Sequence, residues 1–147
     1  MSLWDWTLDA YARPGVPEAC LTLQDEYGQN TSLLLWAVWA ETVDAELLAR
    51  AAAAAHRWED TALAPLRAVR RGLKPPLPPV SDKAREGLRD DVKAAELRAE
   101  RVLMEALESM GGHRGGAHAL AALEAASSAW GKSAPPNALA ALAAALG

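Results

Sequence analysis

The sequence predicts an all-α protein: a compact helical bundle around a central apolar helix, with a long amphipathic helix after a proline-rich linker. Three observations predict it. Ala and Leu supply most of the apolar residues while Phe and Ile are absent, a composition that favours helix over strand. No window shows sustained alternation with a period of two among strand-type residues, whereas apolar residues recur at steps of three and four. Residues 33–40 are apolar all round, as expected of a helix covered on several sides.

Taken in order, a short first helix is expected over 3–12, with Trp4, Leu8 and Tyr11 on one face at i, i+4, i+7, ended by Pro14 and Gly15. A second starts near Val16 with Pro17 in its first turn. Its inward stripe is Val16, Ala19, Cys20, Leu23 and Tyr27, and Gly28 is free to take the left-handed conformation that stops it. Asn30 or Thr31 caps the central helix, to which Trp36 and Trp39 give the bulkiest core side chains. Asp44 caps a fourth, with Leu47, Leu48, Ala51, Ala52 and Ala55 inward. Pro65 predicts a kink or restart, and Ala62, Leu66, Val69 and Leu73 continue an apolar stripe across it.

Residues 74–80, KPPLPPV, read as a stiff extended linker. Ser81 or Asp82 then caps a helix reaching Met110, with a heptad-like seam of Ala84, Leu88, Val92, Ala95, Ala99, Val102 and Ala106. That seam would serve an intramolecular bundle or a homodimer alike. GGHRGG at 111–116 breaks the chain, and helices are expected over 117–130 and from Pro136. The expected organisation is one helical domain over 1–147. It comprises an N-terminal bundle (1–74), a linker (75–80), the long helix (81–110) and an Ala/Gly-rich helical tail (111–147).

Composition also narrows function. A formal net charge of -4 argues against bulk nucleic-acid binding. The single cysteine, Cys20, cannot form an internal disulfide, and the first ten residues lack the basic start and apolar core of a secretory signal. The run 33–40 falls far short of a membrane span. A cytoplasmic location without a membrane span is therefore expected.

Cys20 sits on an inward stripe with no His near it in sequence and reads as a core residue. His56, His113 and His118 lack metal-ligand spacing, and neither HExxH nor CxxC occurs, so no metal and no cofactor is expected. Glu41 and Asp44 read as helix-end residues, although with Asp25 they would make an acidic cluster. Gln24, Asp25, Tyr27 and Gly28 form a polar hinge before the central helix. Either Gln24 or Asp25 ties down that turn, or Gln24, Asp25 and Tyr27 line a pocket with Trp36 and Trp39. Arg67, Arg70, Arg71 and Lys74 fall at i, i+3, i+4, i+7. Such a face serves an acidic partner, phosphate or RNA, or is neutralised by carboxylates of the long helix.

Trp4, then YARPGV, ACLTLQDEYG and LLLWAVW within 11–39, and PLRAVRRGLK at 65–74 resemble a proteobacterial family of small proteins of unknown function. The resemblance covers roughly the first half of the chain. It implies that Gln24, Asp25, Tyr27, Gly28, Arg67, Arg70 and Arg71 belong to a family pattern, and it implies no activity. Without nucleotide-binding or hydrolase motifs, the sequence favours a non-enzymatic interaction module or adaptor, with a protein partner or self-association. The alternative is a small-ligand binder or enzyme with an apolar pocket beside the central helix. A third is RNA or phosphate binding through the basic face.

Overall fold

A computed structural model describes residues 1–111 and 115–147. The helices are α1 (Leu3–Tyr11), α2 (Val16–Tyr27), α3 (Thr31–Ala40), α4 (Ala45–Trp58), α5 (Ala64–Gly72), α6 (Asp82–Met110), α7 (Ala119–Trp130) and α8 (Pro136–Leu146). A π-helical turn, Glu59–Leu63, joins α4 to α5 without a break. No strand occurs among the described residues, and the fold is all-α as expected. The expected break at 111–116 falls partly outside the described residues, as does His113.

The centre is α3. Leu33, Leu34, Leu35, Trp36 and Ala37 are all fully buried, because α1, α2, α4, α6 and α7 surround the helix. Its start is fixed by Asn30, whose Oδ1 accepts from the Leu33 N–H at 2.9 Å. The turn before it uses Gly28 at φ 60°, where a Cβ would be strained. Beyond α3, Ala40 and Glu41 carbonyls accept from the N–H groups of Gly115 and Ala117, both at 3.0 Å. A Cβ at Gly115 would lie 2.5 Å from the Glu41 oxygen, so this approach needs glycine. Asp44 caps α4 as expected, its Oδ1 accepting from the Glu46 and Leu47 N–H groups.

The hinge is tied down by Gln29 and not by Gln24 or Asp25. Gln29 is 2% exposed. Its Nε2 donates to the Tyr27 and Lys132 carbonyls at 3.2 and 2.8 Å, and its Oε1 accepts from the Ser127 hydroxyl at 2.7 Å. Ser127 Oγ also accepts from the Ala134 N–H, and Trp130 Nε1 donates to the Gly28 carbonyl. Every buried polar atom in this knot thereby gains a partner. It joins the α2–α3 turn to the α7–α8 turn, while α7 lies on α3 and α4 and α8 lies on α2. His56 stacks on Trp130 with ring centroids 3.6 Å apart.

Three expected faces are corrected. On α1 the buried residues are Leu3, Thr7 and Ala10; Leu8 and Tyr11 are exposed and Trp4 is half-buried. Small Thr7 and Ala10 allow close crossing, and Trp4 lies beneath the Arg101 guanidinium instead. On α5 Val69 is exposed while Arg67 and Arg70 are half-buried, because α5 faces a charged stretch of α6. On α6 the expected seam lies mostly outside. Ala84, Leu88, Ala95, Val102 and Ala106 are exposed, and only Ala99 is buried. The buried residues of α6 are Arg85, Ala99, Leu103, Met104 and Leu107.

The linker is not extended throughout. The Val80 N–H bonds the Leu77 carbonyl at 2.9 Å, and the Pro78–Pro79 peptide is cis. The turn sets α6 back against α5 as a hairpin. Arg85, 5% exposed, donates to the Leu73 carbonyl, and Arg89 donates to that of Arg70.

Candidate functional site

The α5–α6 hairpin holds most of its polar side chains by pairing them. Arg70 Nε donates to both oxygens of Glu96, at 2.9 and 3.3 Å. Arg67 Nη1 bonds Glu59 Oε1 at 3.1 Å, which brings the π-helical turn into the same cluster. The second Glu59 oxygen and Arg67 Nε are buried without a protein partner. Glu100 lies one helical turn beyond Glu96, within the field of Arg67, Arg70 and Glu59.

Across from this cluster the helices part. A cleft of about 350 Å³ lies between α1–α2 and α5–α6. Buried Cys20 and half-buried Gln24, Thr31, Arg70, Glu96 and Glu100 form its wall. Tyr11, Pro17, Leu21 and Lys93 line it from more exposed positions. The volume falls within the range of small-ligand sites.

Three side chains here titrate far from their ordinary values. Burial, then Glu96 and Glu59, push the Glu100 carboxyl up to about 7, against the opposing pull of Arg67 and Arg70. Burial pushes the Cys20 thiol up to about 11, although its hydrogen bond with Tyr11 pulls the other way. The Tyr11 hydroxyl, set against Cys20 and Thr31 although the residue as a whole is 37% exposed, is raised by burial and by Cys20, with a smaller contribution from Glu100 and relief from a hydrogen bond with Thr31. Cys20 therefore stays a thiol at neutral pH and lacks the thiolate a nucleophile needs. Glu100 is poised to give or take a proton near pH 7.

The residues singled out from sequence are divided among several places. Gln24 lines the cleft. Asp25 is exposed and pairs with Arg71 at 2.9 Å. Tyr27 is half-buried against the core. Trp36 is fully buried in α3, with its indole N–H unpartnered. Trp39 borders a separate recess of about 200 Å³ with Trp6 and Arg13. Arg67, Arg70 and Arg71 each pair with a carboxylate, and Lys74 is exposed at the end of α5. Gln24 and Arg70, drawn from different expected groups, meet in one cleft.

Tyr11, Thr31, Glu96 and Glu100 were not singled out from sequence as site residues, and Cys20 was read only as core. One signal for the two glutamates was present. A short linker makes α5 and α6 antiparallel neighbours, and Glu96/Glu100 at i, i+4 complement Arg67/Arg70 at i, i+3. Among the described residues no three His, Cys, Asp or Glu side chains are arranged to hold a metal ion. No helix among them is long and apolar enough to cross a membrane.

Residues 2–107 match a family described as "Protein of unknown function (DUF2390)". The match extends past the first half of the chain to include most of α6, and it contains every residue lining the cleft. No curated protein and no solved structure matches the chain. With well over half of its length matched, the chain belongs to this family of unknown function.

Proposed function

We propose that this protein binds a small polar molecule in the cleft between α1–α2 and α5–α6, with Glu100 as the group that exchanges a proton with it. One observation carries this reading: Tyr11, Cys20 and Glu100, whose protonation the fold displaces most, all line the same small cleft. Such groups gather at functional sites more often than elsewhere. Gln24 and Thr31 supply neutral donors and acceptors, and the Arg70–Glu96 pair fixes one wall.

The test is a thermal-shift screen with small amines, carboxylic acids, sugars and nucleosides, followed by calorimetry. A compound that stabilises the wild type, and binds Gln24→Ala and Glu100→Gln at least about tenfold more weakly, supports the cleft. Equal binding to all three proteins, or no stabilising compound, overturns it.

A non-enzymatic interaction module is the second reading, favoured by the exposed apolar residues along α6. RNA or phosphate binding through α5 draws less support, since Arg67, Arg70 and Arg71 are held by carboxylates of the same chain.

A further inference from the structure

We propose that two copies of this chain associate through the outer face of α6, antiparallel about a two-fold axis at Ala95. Leu88 is 53% exposed, Val102 is 42% exposed, and exposed Ala95 lies midway between them. Residues seven apart drift only about 20° around a helix, so these three make one stripe. Beside Val102 is a mostly apolar groove of about 330 Å³ between α4 and α6, lined by Ala54, Trp58, Leu103 and Ala106, with Arg57 and Thr61 at its polar part. The stripe thus carries a projecting side chain at one end and a recess at the other.

A dyad at Ala95 satisfies both ends at once. Leu88 and Val102 lie about 10 Å on either side of it along the helix, at 1.5 Å per residue. Reversing one copy brings its Leu88 to the level of the other copy's Val102, over the groove beside Trp58. The same operation happens twice, as an isologous interface requires. Charge selects this orientation. Asp91 and Arg98 flank the stripe on one side, four residues before and three after Ala95, and neither forms a salt bridge among the described residues. In the antiparallel pair each Asp91 meets the other copy's Arg98. A parallel pair would carry the Asp91–Arg98 flanks of the two copies to opposite sides of the interface, form neither ion pair, and leave both grooves empty.

Light scattering across a concentration series tests the assembly. The expected mass rises toward twice 15.6 kDa for the wild type. Leu88→Asp, a change at an exposed position, should leave the helical spectrum intact and yield the single-chain mass. Asp91→Arg should raise the dissociation constant about tenfold or more, and adding Arg98→Asp should restore it. For orientation, Leu88→Cys chains mixed with Val102→Cys chains should cross-link under oxidation, while native Cys20 stays buried. A wild type that keeps the single-chain mass, a dimer that survives Leu88→Asp, or preferential cross-linking of Leu88→Cys to itself would each overturn the proposal.

Discussion

The two halves of α6 bury opposite kinds of side chain. From Ala99 onward the helix contributes Ala99, Leu103, Met104 and Leu107 to the core, against α1, α3 and α4. Before Ala99 its inward residues are Arg85, Arg89, Glu96 and, where the halves meet, Glu100, set against an α5 with no buried residue of its own. The difference lies in what each half meets. One faces an apolar helix and gains by excluding water, while the other faces arginines and gains by matching charge. Apolar burial is tolerant of geometry, whereas a partly dehydrated ion pair requires its partner. The cleft lies along the charged half, with Arg70, Lys93, Glu96 and Glu100 on its α5–α6 side.

The apolar half is the more sensitive of the two to substitution. Leu107→Ala removes a fully buried side chain and should cost about 2–5 kcal/mol in urea unfolding. In the charged half, Glu96→Leu strands Arg70 and should cost about 1–3 kcal/mol. Replacing both partners, Arg70→Met with Glu96→Leu, should cost less than Glu96→Leu alone. A double replacement costing as much as the two singles together would show that the pair does not act as a unit.

The smallest expected change has the opposite sign. Folding raises Glu100 from the ordinary 4.5 to about 7, so the folded protein favours the protonated carboxyl. Its effect on stability is therefore neutral below about pH 4.5, grows unfavourable as pH rises from there to about 7, and levels off above. Glu100→Gln should stabilise the protein by about 1–2 kcal/mol at pH 8, allowing for the part of the carboxyl that still reaches water, and by almost nothing at pH 4. Denaturation at the two pH values checks it; an equal gain at both would detach the effect from ionisation.

Much of the fold was readable in the sequence because its signals are local. Asn30, Asp44 and Ser81 cap helices through their own side chains, and Gly28 stops α2 by its backbone freedom. The all-round apolar character of 33–40 placed the centre correctly. The orientation of α5 and α6 was not readable by the same means. Apolar periodicity assumes that apolar residues face inward, so it turned Leu88 and Val102 toward the core and Arg70 away from it. The π-helical turn compounded this by adding to the residues per turn just before α5. Of the site, Gln24 was visible as a polar residue beside a buried stripe. Glu100 was visible only as a charge complement to Arg67 and Arg70; its burial was not, because the opposite wall of the cleft, Tyr11 and Cys20, lies some eighty residues or more earlier in the chain.

The knot of Gln29, Ser127 and Trp130 bears on the order in which the protein can take shape during synthesis. Residues 2–107, which define the family, emerge from a ribosome before α7 and α8 exist. At that point Gln29 has neither Ser127 nor the Lys132 carbonyl, and the faces of α3 and α4 that α7 covers are open to water. The apolar core includes Leu123, Leu139, Leu142 and Leu146, so it cannot close until nearly the last residue described here has been made. A nascent chain of this protein therefore holds its central helix incompletely sheltered until α7 and α8 have been made, and apolar surface exposed in that interval favours aggregation.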